Sequence, residues 1–496
     1  MTLNHSITQL LAYAKKHLGL AARDELYARN RLLDVLGLYS YTEETCTEEI
    51  PALPDGILQN IFACLDEEGK EFDRGTLGEK LMDAVMPRPS EFETIFYQKY
   101  ESSPQAATEW AYDFAICSDY VKKSAIDKNL KWKSKSGKLE ITINLSKPEK
   151  NNKDLQKQLK TVSTDYPKCI ICRDNEGFEK PGFSRRNMRT LSMSLHGEDW
   201  FWQYSPYAYF NEHGIAISVA HTPMVLNENT VEHLFDFVEK FPHYFIGNNA
   251  PLPRVGGSIL MHNHYQGGGT VLPMQKVGFS YELKSKKYKN VKVGVLDWYN
   301  TALRLEGKNR KEIAALAKDI FTAWGPYENT ALDILPRSGE EQHNTASCIA
   351  RKSKKGYILD MILRNNRVSE QYPDGIFHAH REYHHIKSES IGLIEAMGLF
   401  ILPARLKRQL TTVKEYLTGA QAYNESALQE DMKIFIPMIT RLMQKGTLSE
   451  KEAEDVLRDE VETACENILD NTAVFKHTQE GQAALKEFLL SCGLQG

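Results

Sequence analysis

Three observations along the chain predict an α+β protein. Residues 3–130 carry mostly helical periodicity, as in "PDGILQNIFACLDEEG" and "TLGEKLMDAV", with Pro and Gly punctuating the runs. Between 160 and 290 the character changes to short aromatic and β-branched runs, "FWQYSPYAYF" and "GIAISVAH", followed by one amphipathic helix, "NTVEHLFDFVEKF". The same style returns from 290 to about 425, and the tail from 426 reads as helices again.

The length of 496 residues exceeds one ordinary core. The expected divisions are a mainly helical region 1–155, two α+β parts 156–290 and 291–425, and a helical region 426–496. "KLEITINL" alternates Leu139, Ile141, Ile143 and Leu145 and reads as a half-buried strand. The lysine-rich 147–160 that follows reads as a surface connector or a helix start, its charges a solvated face. In the second α+β part, "VKVGVLDWY" and "GYILDMILR" read as strands, and "RKEIAALAKDIFTAW" as a helix closed by Gly325 and Pro326. In the tail, Ser449 and Glu452 have capping-box spacing.

Hydrophobic residues are 42% and charged ones 26%, ordinary for a globular chain. A net charge of −5, from 61 basic and 66 acidic residues, supplies no global field for nucleic acid or an anionic membrane, so neither is expected as a partner. "MTLNHSITQLLAYAKKHLGL" is amphipathic and lacks a long apolar core, which reads as neither a signal peptide nor a membrane span; a cytoplasmic location is expected. Of eight cysteines only Cys169 and Cys172 are paired in sequence, so no disulfide framework is expected.

"HNHYQGGG", residues 262–269, repeats a nitrogen-bearing side chain at every second position. On an extended segment His262, His264 and Gln266 share one face. A neutral imidazole is a good nucleophile toward phosphorus, provided that one ring nitrogen is unprotonated and the other N–H is held by an acceptor such as a backbone carbonyl. A glutamine amide donates to a nonbridging phosphoryl oxygen but cannot deliver a proton to a leaving group, which suits transfer between phosphates. Gly256, Gly257 and Gly267–Gly269 let backbone N–H groups approach phosphate oxygens. The bland alternative is a polar edge strand with no chemistry.

"YPKCIICRDNEG" holds a C-x-x-C that presents two thiolates to one ion. Two buried cysteines around Ile170 and Ile171, or a redox dithiol, are the alternatives. With His221 and His262, Cys169 and Cys172 would complete a closed Cys2His2 zinc site that pins the reactive segment and leaves no open position for substrate.

"FPHYFIGNNAPLPRVGGSILMHNHYQGG", "WFWQYSPYAYFNEHGIAISVAHTPM" and "GLIEAMGLFILPARLK" resemble the class II galactose-1-phosphate uridylyltransferases, within the histidine-triad-like superfamily, and the resemblance runs along most of the chain. It implies two histidine-triad-like halves with antiparallel sheets, wrapped by helical extensions, with a family-style division near 235–245. The implied reaction is ping-pong: UDP-glucose gives its uridylyl group to a histidine and releases glucose 1-phosphate, and galactose 1-phosphate then takes the group to give UDP-galactose. On this resemblance His264 is the nucleophile, Gln266 the phosphoryl-binding glutamine, and Cys169, Cys172, His221 and His262 the zinc ligands. Asn249, Arg254, Gly257, Ser258, Arg186 and Arg189 are expected substrate contacts; guanidinium groups, Arg185 included, bind phosphate bidentately.

The class I relatives carry a second metal on a His-x-His that His378 and His380 resemble, with Glu282 and His343 as the completing candidates; a second metal is not expected here. A homodimer is implied by the resemblance alone. The rival functions are a hydrolase or dinucleotide phosphorylase of the same superfamily, and, from another class, a zinc-stabilised nucleotide-binding module.

Overall fold

The computed structural model describes residues 1–146, 166–180, 183–257 and 259–496. The expected connector at 147–160 lies outside the described residues, as does Ser258. The chain forms two compact units, one from the described residues of Met1–Lys128, Thr161–Thr222 and His262–Gly269, the other from those of Asn129–Lys160, Pro223–Met261 and Thr270–Gly496. Both mix helices with antiparallel strands, so the chain is α+β.

The first unit begins with the helices Leu3–His17, Glu25–Leu36, Asp55–Glu67, Arg74–Val85, Pro89–Ser102 and Pro104–Cys117. Their apolar residues recur at three- and four-residue intervals, so each buries one stripe. Ile7, Leu10, Leu11 and Ala14 line that stripe in the first, and Ile57, Leu58, Ile61, Phe62 and Leu65 in the third. Thr2 starts the first helix by accepting the His5 N–H at 3.0 Å, while Ser103 caps the last, with Pro104 at its first position where no N–H is needed.

Four antiparallel strands of this unit pair in the order Leu191–Leu195, Glu198–Tyr204, Gly214–Ser218, His264–Gly268. The last pairs Ile217 with His264, Ala216 with Tyr265, Ile215 with Gln266 and Gly214 with Gly267. This register sends His264 and Gln266 to one face and Tyr265 to the other. Tyr265 stacks on Trp200 at 4.8 Å between ring centroids, both rings buried, which locks the face of the strand.

In the second unit seven of the described strands lie side by side in the order Leu494–Gln495, Phe279–Ser285, Lys292–Leu296, Ala302–Gly307, Gly356–Asn365, Asn344–Ser353, Phe245–Asn248, beside smaller sheets. The helix Glu228–Lys240 begins at Asn227, whose side chain accepts the Thr230 N–H while Thr230 returns the bond. In the tail, Ser449 and Glu452 form the capping box that starts Glu450–Thr472. Preceding it, 3-10 turns end where the helix Ile436–Met443 starts, because Pro437 lacks the N–H that a continuing helix requires.

Two sequence expectations are corrected in this unit. Thr142 and Asn144 are buried along with Ile141 and Ile143, so the strand Glu140–Asn144 is covered on both faces rather than half-buried. Its neighbour on one side, Leu399–Pro403, runs parallel to it, a pairing that needs a long crossover and leaves no local signature. Among the described residues no helix is long and apolar enough to cross a membrane.

Tyr265→Ala removes a buried aromatic ring from the strand His264–Gly268. It should destabilise the first unit by about 3–5 kcal/mol, read as a lowered thermal midpoint.

Candidate active site

The C-x-x-C turn is tied by its own backbone. The Cys172 N–H reaches the Cys169 carbonyl at 3.2 Å, and the buried Asn175 amide donates to the carbonyls of both cysteines, at 2.9 and 2.8 Å. The two Sγ atoms lie 3.5 Å apart, and His262 Nδ1 lies 3.3 Å from the first and 3.8 Å from the second. His262 Nε2 donates to the Ser218 carbonyl at 2.8 Å, which leaves the Nδ1 lone pair facing the sulfurs.

His221 brings its ring within 4.3 Å of His262, and its Nε2 is buried without a hydrogen-bond partner. One donor atom from each of the four side chains falls within 4.8 Å of every other. Two sulfurs and two imidazole nitrogens, with the His221 ring carrying an otherwise orphaned buried nitrogen, are the donor set of a closed tetrahedral metal site, so this cluster could hold a metal ion. The Cys169 thiol hydrogen bond and the adjacent His262 hold Cys172 below the usual thiol range, which favours a thiolate ligand. His221 lies beyond the end of its strand, which stops at Ser218. His262 likewise precedes its strand, which starts at His264. The extended run expected from 262 to 266 is therefore shorter, because the Asn263 N–H leaves the neighbouring strand and is taken by the Thr222 carbonyl beyond that strand's end.

His264 is 5% exposed. Its Nδ1 donates to the His262 carbonyl at 2.8 Å, so the lone pair is on Nε2. Burial pushes its pKa down to about 4, and the ring is neutral at ordinary pH. Gln266 lies on the same face, half-buried, with Oε1 at 3.2 Å from Nε2 of His213. His213 was not singled out in the sequence. It lies two residues before Ile215, the partner of Gln266, and so on the same face as Gln266. Only the strand pairing reveals it.

The expected clamps have other partners. Arg186 Nε bonds Asp83 at 3.0 Å, while Arg189 bonds Asp83 at 3.1 Å and the Pro87 carbonyl at 2.9 Å. Arg185 reaches the Tyr120 hydroxyl at 3.4 Å. Asn249, Arg254 and Gly257 belong to the second unit. Asn249 accepts the Leu393 N–H at 2.9 Å and leaves its buried Nδ2 without a partner; a Cβ on Gly257 would lie 3.0 Å from that nitrogen. Arg254 bonds Glu341 and the Asn366 carbonyl.

His378 and His380 lie in an irregular loop, bonded to the Ala379 and Ile376 carbonyls. His343 has both ring nitrogens engaged, by Asn366 and Ser338, and Glu282 pairs with Lys292 at 2.7 Å.

Sequence comparison supplies what geometry alone does not. Residues 19–223 match the model of the galactose-1-phosphate uridyl transferase N-terminal domain, and residues 232–427 that of its C-terminal domain. A galactose-1-phosphate uridylyltransferase of Clostridium acetobutylicum is 39% identical, over 98% of this chain and 99% of the relative. The chain belongs to the galactose-1-phosphate uridylyltransferase family. Family members with that name in Halalkalibacterium halodurans and Lactococcus lactis are 40% and 39% identical, covering 97% and 99% of this chain and the same shares of the relatives. Among solved structures, a yeast Ap4A phosphorylase, Apa2, aligns with a TM-score of 0.33 and 9% identity, over 60% of this chain and 90% of that one.

Cys172→Ser should lower bound metal and the thermal midpoint together, because a closed donor set couples binding to folding. Metal analysis and a melting curve on the same sample check this; unchanged metal content would contradict the site.

Proposed function

We propose that the chain transfers a uridylyl group from UDP-glucose to galactose 1-phosphate through a covalent intermediate on His264. The observation that carries this reading is the 2.8 Å hydrogen bond from His264 Nδ1 to the His262 carbonyl, which leaves Nε2 as the nucleophile in a chain whose relatives bear the uridylyltransferase name.

In the first half-reaction the Nε2 lone pair attacks the α-phosphorus of UDP-glucose. The bond from that phosphorus to the bridging oxygen breaks, and its electron pair leaves on glucose 1-phosphate, which needs no proton from the protein. The phosphorylated ring keeps its Nδ1–H, so the His262 carbonyl faces a cationic imidazolium. In the second half-reaction a phosphate oxygen of galactose 1-phosphate attacks the same phosphorus, and the P–N electron pair returns to Nε2. The amide of Gln266 donates to a nonbridging oxygen as charge builds there in both displacements.

The metal of the Cys169, Cys172, His221, His262 cluster is zinc in this reading, supported by the two-sulfur, two-nitrogen donor set. Bound there, it supplies no reacting position and fixes the residue whose carbonyl holds His264. The same reading includes a cytoplasmic homodimer, on the family resemblance.

Intact mass after incubation with UDP-glucose should show one uridylyl adduct, mapped to His264 and discharged by galactose 1-phosphate. His264→Ala should form none and lose transfer by about four orders of magnitude or more. A metal-loaded chain that binds UDP-glucose and forms no adduct would overturn the covalent mechanism.

A further inference from the structure

Gln266 has two chemically opposite ends on one planar amide. The NH2 end attracts a phosphoryl oxygen, whereas the oxygen end repels it. Rotation about the last side-chain bond exchanges the two, so a free glutamine would present both. Donation in the transition state requires that one orientation be selected beforehand.

His213 is placed to make that selection. Its backbone is held on both sides, the N–H by the Phe210 carbonyl at 3.2 Å and the carbonyl by the Ser205 N–H at 2.8 Å. Its ring lies against Tyr209, stacked at 5.0 Å, and Phe210 at 4.6 Å, and the residue is 3% exposed. The Tyr209 N–H points at Nδ1, at 3.4 Å. A nitrogen that receives an N–H must carry the lone pair, so the neutral ring has its proton on Nε2. That proton faces Gln266 Oε1 at 3.2 Å. The amide oxygen is thereby held on the His213 side and the NH2 group is turned away from it.

The close approach depends on Gly268, which ends the strand. A Cβ there would come within 2.4 Å of the Glu212 carbonyl oxygen and 2.9 Å of the Phe210 ring, and its φ of +153° is one that side-chain-bearing residues rarely adopt. The loop carrying His213 can therefore press against the end of the reactive strand.

We propose that His213 is a positioning residue, which fixes the Gln266 amide with its NH2 group toward the transferred phosphoryl group. The inference rests on the transfer reading above and assigns no contact between His213 and substrate. The neutral tautomer with its only proton on Nδ1, or a side chain with no donor at the Nε2 position, removes the selection.

The test measures single-turnover formation of the uridylyl adduct from UDP-glucose, beside UDP-glucose affinity, metal content and thermal midpoint. His213→Phe keeps an aromatic ring and loses the donor. It should slow adduct formation by roughly 10- to 100-fold while changing affinity by no more than about threefold. His213→Gln places an N–H near the lost Nε2 and should recover most of the rate. In a chain already carrying Gln266→Leu, His213→Phe should cost nothing further, because the group it orients is gone.

Should His213→Phe lose metal or melt early, His213→Met, a flexible side chain of similar size without a donor, takes its place. Wild-type rates in the donorless variant, no recovery with Gln in a folded and metal-loaded chain, or a full additional loss in the Gln266→Leu background would each overturn the inference while leaving the transfer reading intact. A wild-type chain that forms no adduct would overturn both.

Discussion

The rest of the site depends on the hydrogen bond between His264 Nδ1 and the His262 carbonyl. It decides which nitrogen of the His264 ring carries the lone pair, and it does so with the main-chain oxygen of a residue whose side chain belongs to the cluster. The ring of His262 is held by the Ser218 carbonyl on one side and faces the two cysteine sulfurs on the other. One residue thus joins the four-donor cluster to the proposed nucleophile. Its side chain faces the cluster and its carbonyl holds the His264 ring.

This arrangement divides a strand between two tasks. His264 and Gln266 occupy one face, and Tyr265 occupies the other, where Trp200 stacks on it. A slip of one residue in the register would exchange the faces of the two polar side chains and the aromatic ring, so the Trp200–Tyr265 packing also fixes which face His264 and Gln266 occupy. The same division explains why Asn263 and Tyr265 need not be chemical residues for the motif to work.

Much of this was legible before any fold was known. Helix boundaries followed from local capping chemistry, as at Ser449 and Glu452, because a cap and its helix are neighbours in sequence. The C-x-x-C pair, the His-x-His-x-Gln spacing and a histidine between them named the four clustered donors, since thiolates and imidazoles at those spacings have few common uses. Misreadings arose wherever the decisive partner lay far along the chain. The burial of Thr142 and Asn144 and the parallel neighbour of their strand depend on a segment more than 250 residues away. That Arg186 and Arg189 share Asp83, on an N-terminal helix, was likewise not legible, because the carboxylate lies about a hundred residues earlier in the chain.

The sequence by itself determined which reactive groups exist and how far apart they lie along the backbone, and from these came the α+β class, the candidate ligands and the candidate nucleophile. Tertiary structure decided the directions of those groups. It set which nitrogen of His264 is free, which end of Gln266 is held by His213, and which guanidinium groups already have carboxylate partners. The physical reason is that spacing along a strand fixes only the face a side chain occupies, whereas proton positions and amide orientation are set by whatever hydrogen-bonding partner the fold brings opposite.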